Sequence, residues 1–149
     1  MKQEDKDLLL RYLSMALPYD VYLKLNIFDD SSVDCKLTAI DTDGDISVDV
    51  PADVAYNIND AKPYLRPMSS MTAEEDEKRI RLGIWRSSST NGFEVTKITP
   101  HDYEGYNSRP LQKALVFLLK NHFDIFGLIP RGLAIAVTEE NNPYNTTKG

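Results

Sequence analysis

The sequence is poor in the residues and motifs on which most catalytic and cofactor sites depend. It has one cysteine, Cys35, and two histidines, His101 and His122, among 149 residues. A lone cysteine excludes an internal disulfide and fits a reducing compartment. The chain has neither an H-E-x-x-H pair nor a G-x-S-x-G elbow, and its seven glycines form no phosphate-binding loop. We therefore expect no catalytic residues, no cofactor and no resident metal.

Long apolar runs are scarce as well. The run "ALVFLL" at 114–119 is far shorter than the roughly 20 apolar residues of a membrane-spanning helix. The N-terminal stretch "MKQEDKDLLLRYLSMALP" lacks the order of basic, apolar and small residues found in a secretion signal. These features predict a soluble, cytoplasmic protein without a membrane partner.

Negative charge is abundant and unevenly distributed. The formal net charge is −6, and between residues 29 and 60 only Lys36 opposes the acidic side chains. The aspartates of this stretch are Asp29, Asp30, Asp34, Asp41, Asp43, Asp45, Asp49, Asp53 and Asp60. Such a surface repels phosphate backbones, so direct nucleic-acid binding is disfavoured, whereas a basic protein or a cation would be attracted.

Two hydrophobic periods follow one another along the chain. Residues 4–17 repeat apolar side chains at helical spacing, and Pro18 should end that helix. From residue 21 to residue 50 apolar and polar side chains alternate, as in antiparallel strands with one buried face. Cys35 falls on the apolar side of this pattern, so we interpret it as a buried structural thiol.

The stretch "IDTDGDISVDV" at 40–50 has two interpretations. A calcium-binding EF-hand loop starting at Asp41 would need glycine at its sixth position and glutamate at its twelfth, where the chain has Ile46 and Ala52. A β-hairpin with Asp43-Gly44 as a two-residue loop keeps the apolar residues on one face. We therefore predict the hairpin. Its register would pair Ala39 with Val48 and Leu37 with Val50.

The second half of the chain predicts further helices and strands. Thr72 and Glu75 have the spacing of a capping box at the start of a helix that Gly83 can end. "FEVTKIT" and "LAIAV" are typical of strands, and "LQKALVFLLKNHF" predicts a buried helix capped by Ser108. Together these elements predict an α+β fold, in which a small, twisted antiparallel sheet of SH3-like type packs with N-terminal and C-terminal helices. We expect one compact domain, 1–149, with a subdivision into 1–68, 69–138 and a flexible tail at 139–149.

Two segments of the sequence resemble segments of a known protein family. At "KPYLRPMSSMTAEE" (Lys62–Glu75) and "NHFDIFGLIPRGLAIAV" (Asn121–Val137) the sequence resembles a family of small uncharacterised proteins from Bacteroidetes and their prophages. The matching residues are Lys62, Pro63, Tyr64, Leu65, Arg66, Pro67, Met68, His122, Phe123, Asp124, Gly127 and Leu128. The resemblance implies a bacterial or phage accessory protein in the cytoplasm and brings no catalytic residues. It also suggests that Phe123 and Leu128 pack, that Gly127 turns the chain, and that Arg66 pairs with Asp124.

We expect, therefore, a non-enzymatic accessory or protein-interaction protein of a bacterial mobile element or prophage, with a protein partner. The candidate interaction residues are Lys62, Tyr64, Arg66 and Met68, and the candidate acidic face comprises Asp41, Asp43, Asp45 and Asp49. Two alternatives stay open. An acidic sheet can mimic DNA and inhibit a nucleic-acid-binding protein, and aspartates with a histidine can hold a divalent metal for hydrolysis.

Overall fold

Helices and strands both occur along the chain, as the two hydrophobic periods predict. A computed structural model describes residues 1–28, 31–50, 54–81, 84–86, 93–98 and 109–144. In chain order the elements are α1 (Gln3–Ala16), β1 (Tyr22–Phe28), β2 (Ser31–Ile40), β3 (Ile46–Val48), β4 (Ala61–Leu65), α2 (Ala73–Arg81), β5 (Ile84–Arg86), β6 (Phe93–Ile98), α3 (Arg109–Lys120) and β7 (Ile135–Ala136). The predicted α+β class is confirmed.

The chain folds as two compact units. The first unit consists of Met1–Leu65 with Leu128–Gly149, and the second unit consists of Arg66–Gly127. The first unit contains a five-stranded sheet in the order β3-β2-β1-β4-β7. Neighbouring strands of this sheet run antiparallel except for β4 and β7, which pair in parallel.

Helix α1 belongs to the first unit and has the apolar stripe that its sequence predicts. Leu9, Tyr12, Leu13 and Ala16 are fully buried, which matches a helix with one face on a core. The α-helix ends at Ala16 and continues as a 3-10 turn over Leu17–Tyr19. Pro18 lies in the first turn of that 3-10 helix, where proline's missing N–H is tolerated.

The β2–β3 hairpin is confirmed, but its predicted register is wrong. The strands pair Leu37 with Val48 and Ala39 with Ser47, so one extra residue of β2 bulges between these pairs. The bulge turns Ala39 out to solvent, although alternation places it inside. Strand β3 ends at Val48, and Val50, which was expected to share the buried face, is 66% exposed.

The second unit contains α2, α3 and the antiparallel pair β5–β6. Strand β6 confirms the strand expected from "FEVTKIT", whereas the short strand β5 was not predicted. The core cluster consists of Met68, Ala114, Phe117, Leu118 and Phe123. Helix α3 is buried on several sides, as expected, while Gly83, His101 and Ser108 lie outside the described residues.

The end of α3 explains one of the two histidines. His122 adopts the left-handed conformation with φ 63°, in which histidine is more frequent than most side chains. The His122 N–H donates to Leu119 O and the Phe123 N–H donates to Leu118 O, which together make a Schellman motif. Phe123 packs against Phe117 at 6.3 Å between ring centroids and supplies the apolar contact that accompanies this motif. His122 is therefore a helix-terminating residue.

Candidate interaction surface

The side of the five-stranded sheet opposite its buried residues carries a row of charged side chains. We call this the outer face, and define it by Tyr22, Lys24, Asp34, Lys36, Lys62 and Tyr64. In the strand register Lys24 lies directly between Asp34 of β2 and Lys62 of β4. Directly opposed residues share a face and approach to about 5 Å between Cβ atoms. All three side chains are exposed, so the row presents one negative and two positive groups to solvent.

Tyr64 lies in this row but is only 5% exposed. Its hydroxyl reaches across β1 and donates a hydrogen bond of 2.6 Å to Asp34 Oδ1. Burial, and after it the bond to Asp34, raises the pKa of Tyr64. The phenol therefore stays protonated at neutral pH and fixes the Asp34 carboxylate beside Lys24.

The predicted acidic face is held by local hydrogen bonds at its turn. Asp41 Oδ1 accepts the backbone N–H groups of Asp43 and Asp45, which gives an Asx-type turn. Gly44 closes this turn with φ 83°, a conformation that glycine adopts at little cost. Asp43 is exposed and Asp45 is half-buried. The aspartate spacing is thus explained by turn geometry.

Asp49, which follows the end of β3, bonds the backbone of the neighbouring strand β2 and not that of the turn. Its Oδ1 accepts the Lys36 N–H at 2.8 Å, and its own N–H donates to Lys36 O at 3.0 Å. The carboxylate therefore extends the β2–β3 ladder by one step beyond the last regular strand residue. Lys36 also approaches Asp20 at 3.8 Å, so positive and negative groups are interleaved on the outer face.

One position at each edge of the five-stranded sheet is bonded by the chain itself. At the β3 edge, Tyr56 exchanges two backbone hydrogen bonds with Ile46. At the β7 edge, the side-chain amide of Asn141 donates to Ala136 O. The backbone groups bonded at these positions are not free for strand addition.

Arg66 and Met68, the other two predicted interaction residues, belong to the second unit. The Arg66 guanidinium binds both carboxylate oxygens of Glu75 at 2.7 Å and lies 4.3 Å from the centre of the Phe123 ring. Thr72 and Glu75 form the predicted capping box, with bonds of 3.1 Å and 2.9 Å. The hydrogen bonds from Arg66 hold the pKa of Glu75 below its ordinary value. Met68 is 5% exposed in the core cluster.

The two segments that carry the resemblance, Lys62–Glu75 and Asn121–Val137, are joined by backbone pairing within each unit. In the first unit Tyr64 pairs with Ile135 and Leu65 pairs with Ala136. In the second unit the Arg66 N–H donates to His122 O, and Arg66 O accepts the N–H of Asp124. The expected pairing of Arg66 with Asp124 is thus made through the backbone, while the guanidinium binds Glu75. Phe123 and Leu128 are fully buried and Gly127 has φ 70°, so their packing and turning roles are confirmed.

Of the four predicted interaction residues, Lys62 has the most exposed side chain, and it lies on the outer face. Sequence reasoning missed its neighbours Lys24 and Asp34. The alternation of "VYLKLN" placed Lys24 on the polar face, but the partner strand was not evident from local pattern. Their use in binding, like that of Lys62, Tyr64, Arg66 and Met68, stays a prediction.

The Cys35 thiol is held in its protonated form. Burial, followed by the charges of Asp49 and Asp34, raises the pKa of Cys35 to about 11, and its Sγ points to Leu23 O at 3.9 Å. A thiol in that state is protonated and inert at neutral pH. Within the described part of the chain, no group of three or more His, Cys, Asp or Glu side chains is placed to hold a metal ion.

No helix among the described residues is both long and apolar enough to cross a membrane. Comparison with known proteins gives no assignment, since no family model, no curated protein and no solved structure matches this chain.

Proposed function

We propose that this chain is a non-enzymatic protein-interaction protein that binds a protein partner through the outer face of its five-stranded sheet. The observation that carries the proposal is the exposed pair Lys24 and Lys62, placed side by side by the strand register. Like charges at directly opposed positions destabilise a sheet, and an acidic group from a partner would relieve that repulsion.

The wider setting of this proposal comes from the resemblance. We propose that the chain is an accessory protein of a bacterial mobile element or prophage and acts in the cytoplasm. We also propose that its sheet is twisted and SH3-like. The β1–β2–β3 meander supports the latter, because consecutive antiparallel strands are the usual elements of small barrels.

The experiment compares proteins captured by variants of the full chain. Lys24→Glu and Lys62→Glu reverse the charge of exposed side chains, so the fold should be kept, which circular dichroism checks. Lys120→Glu on α3 is the matched control, since Lys120 is also exposed. We expect a protein captured by the wild type and by Lys120→Glu to be lost from both outer-face variants.

The same capture by all four proteins, or no capture above background, would contradict the proposal. Tyr64 and Arg66 are unsuitable for this test, because both are bonded within the fold and their loss would disturb it. Surface charges of this kind act mainly on the association rate and on its salt dependence. Wild-type binding should therefore weaken as salt is raised, whereas residual binding to the outer-face variants should depend less on salt.

The two alternatives have less support. A DNA mimic needs carboxylates spaced like phosphates, but on the outer face Asp34 lies beside Lys24, and Lys36 and Lys62 add further positive charge. A metal-dependent hydrolase needs converging ligands, whereas Asp41 is bonded to the backbone of its own turn. Calorimetric titration with magnesium, manganese and calcium tests the second alternative directly.

A further inference from the structure

The end of the described chain returns to the sheet and inserts one hydroxyl between two strands. Tyr144 Oη accepts the N–H of Tyr22 at 3.0 Å and donates to Tyr64 O at 2.8 Å. The rings of Tyr144 and Tyr22 meet edge to face at 5.5 Å between centroids. Three elements that are distant in sequence therefore converge on one phenol group.

The position of this hydroxyl follows from the register of β1 and β4. These strands pair Lys24 with Lys62 and Leu23 with Pro63, so Tyr22 and Tyr64 are the next opposed residues. Pro63 has no N–H, so its pair is of the non-hydrogen-bonded kind, and the pair beyond it should exchange backbone bonds. The hydroxyl of Tyr144 lies between the N–H and the carbonyl that would form one of these bonds. It completes the ladder where the backbone does not.

Most residues of the segment that delivers Tyr144 are exposed. Thr138 and Asn141 form a turn through side-chain and backbone hydrogen bonds, and residues 138–141 are exposed. Residues 142–144 are half-buried. A segment that is mostly exposed opens at a lower free energy than a buried core.

We propose that residues Thr138–Tyr144 form a releasable latch, and that the gap between β1 and β4 is a binding slot for a phenolic side chain, occupied by the chain's own Tyr144. The slot offers one backbone donor, one backbone acceptor and the edge of the Tyr22 ring. This combination selects a phenol over a plain aromatic ring, because the hydroxyl must both accept and donate. The slot shares Tyr22 and Tyr64 with the outer face, but the inference rests on the bonds of the Tyr144 hydroxyl and not on Lys24 or Lys62.

The test uses the full chain with Tyr144→Ala, which empties the slot, and p-cresol and toluene as probes that differ by one hydroxyl. We expect p-cresol to raise the melting temperature of Tyr144→Ala and to restore protection of the Tyr22 amide against hydrogen exchange. Toluene should do less, and p-cresol should have no comparable effect on the wild type. The slot proposal would be wrong if p-cresol and toluene changed the melting temperature and the Tyr22 exchange equally, or if p-cresol changed neither.

Tyr144→Phe tests the hydroxyl alone while keeping the ring. The Tyr22 amide should exchange about tenfold faster than in the wild type, which corresponds to one lost hydrogen bond of ordinary strength. The melting temperature should stay close to that of the wild type. Unchanged exchange at Tyr22 would overturn the proposal, and so would a Tyr144→Ala chain that does not fold, since the segment would then be integral to the fold and not releasable.

Discussion

In the first unit, polar side chains complete an interrupted strand ladder, whereas in the second unit one polar side chain joins several elements. Asp49 and Tyr144 each bond backbone groups at a position where regular pairing stops. Arg66 instead bonds Glu75 at the start of α2, the carbonyl of Ser70 and, through its backbone, the chain that follows α3. Its guanidinium also covers the Phe123 ring.

The difference lies in how many contacts depend on one residue. Loss of a ladder-completing side chain exposes one or two backbone groups, and the neighbouring strands still hold the sheet. Loss of Arg66 removes contacts to a helix N-terminus, an aromatic ring and a half-buried carboxylate at once. We therefore expect single substitutions of polar residues to have larger effects in the second unit.

The largest effect should come from the core of the second unit. Phe123→Ala removes a fully buried ring that contacts both Phe117 and Arg66, and we expect a loss of about 3–5 kcal/mol in the free energy of unfolding. Val116→Ala on α3 is the control, because Val116 is 39% exposed, and its effect should stay within about 0.5 kcal/mol. Urea unfolding of the full chain measures both. Similar losses for the two variants would show that the cluster is not a core.

Arg66→Met tests the joining role directly. It keeps a long side chain but leaves the Glu75 carboxylate without its partner, so we expect a loss of about 1.5–3 kcal/mol. The matched variant Lys62→Met changes an exposed cation on the outer face and should alter stability by less than about 0.5 kcal/mol. Equal losses for Arg66→Met and Lys62→Met would remove the contrast between the two units.

The Arg66–Glu75 ion pair should also make the stability of the fold depend on pH in the acid range. Arg66 lowers the pKa of Glu75 below its ordinary value of 4.5, so the folded chain binds fewer protons at this site than the unfolded chain. The stabilisation is therefore fully present above about pH 4.5 and is lost as the pH falls through the lowered value. Unfolding of wild type and Glu75→Gln between pH 7 and pH 3 measures this loss, which should be absent from Glu75→Gln. An unchanged acid dependence in Glu75→Gln would contradict the assignment.

The smallest effect should occur in the β2–β3 hairpin. Asp41→Ala removes the acceptor of two backbone N–H groups in an exposed turn, and we expect a loss of about 0.5–1 kcal/mol. Asp43→Ala in the same turn should be nearly neutral, since the turn uses the Asp43 backbone and not its carboxylate. A loss for Asp43→Ala as large as that for Asp41→Ala would point to the charge of the loop and not to its geometry.

Much of the local structure was predictable because the signals lie within a few residues. The capping box joins Thr72 and Glu75 across one helical turn, and Pro18 ends α1. The alternation of β1 placed Lys24 outside and its apolar neighbours inside. For the candidate surface, Lys62 was predicted from the sequence, whereas Lys24 and Asp34 became its neighbours only through strand pairing.

The errors have a common physical origin. Alternation predicted Ala39 and Val50 inside, but the bulge in β2 and the early end of β3 reversed both. A bulge is favoured by the fit of the whole sheet and has no marker in the residues themselves. The polar composition of residues 138–144 likewise gave no indication that Tyr144 returns to the sheet.

The sequence by itself determined the start of α2, the end of α1, the buried stripe of α1 and the turn at Gly44, because hydrogen bonds and sterics within one turn of chain decide these features. Tertiary structure alone decided the parallel pairing of β4 with β7, the partner of Arg66 and the site of Tyr144, which lies 122 residues from Tyr22. Contacts at such separations form only when many apolar surfaces are buried together, and no short stretch of sequence specifies that sum.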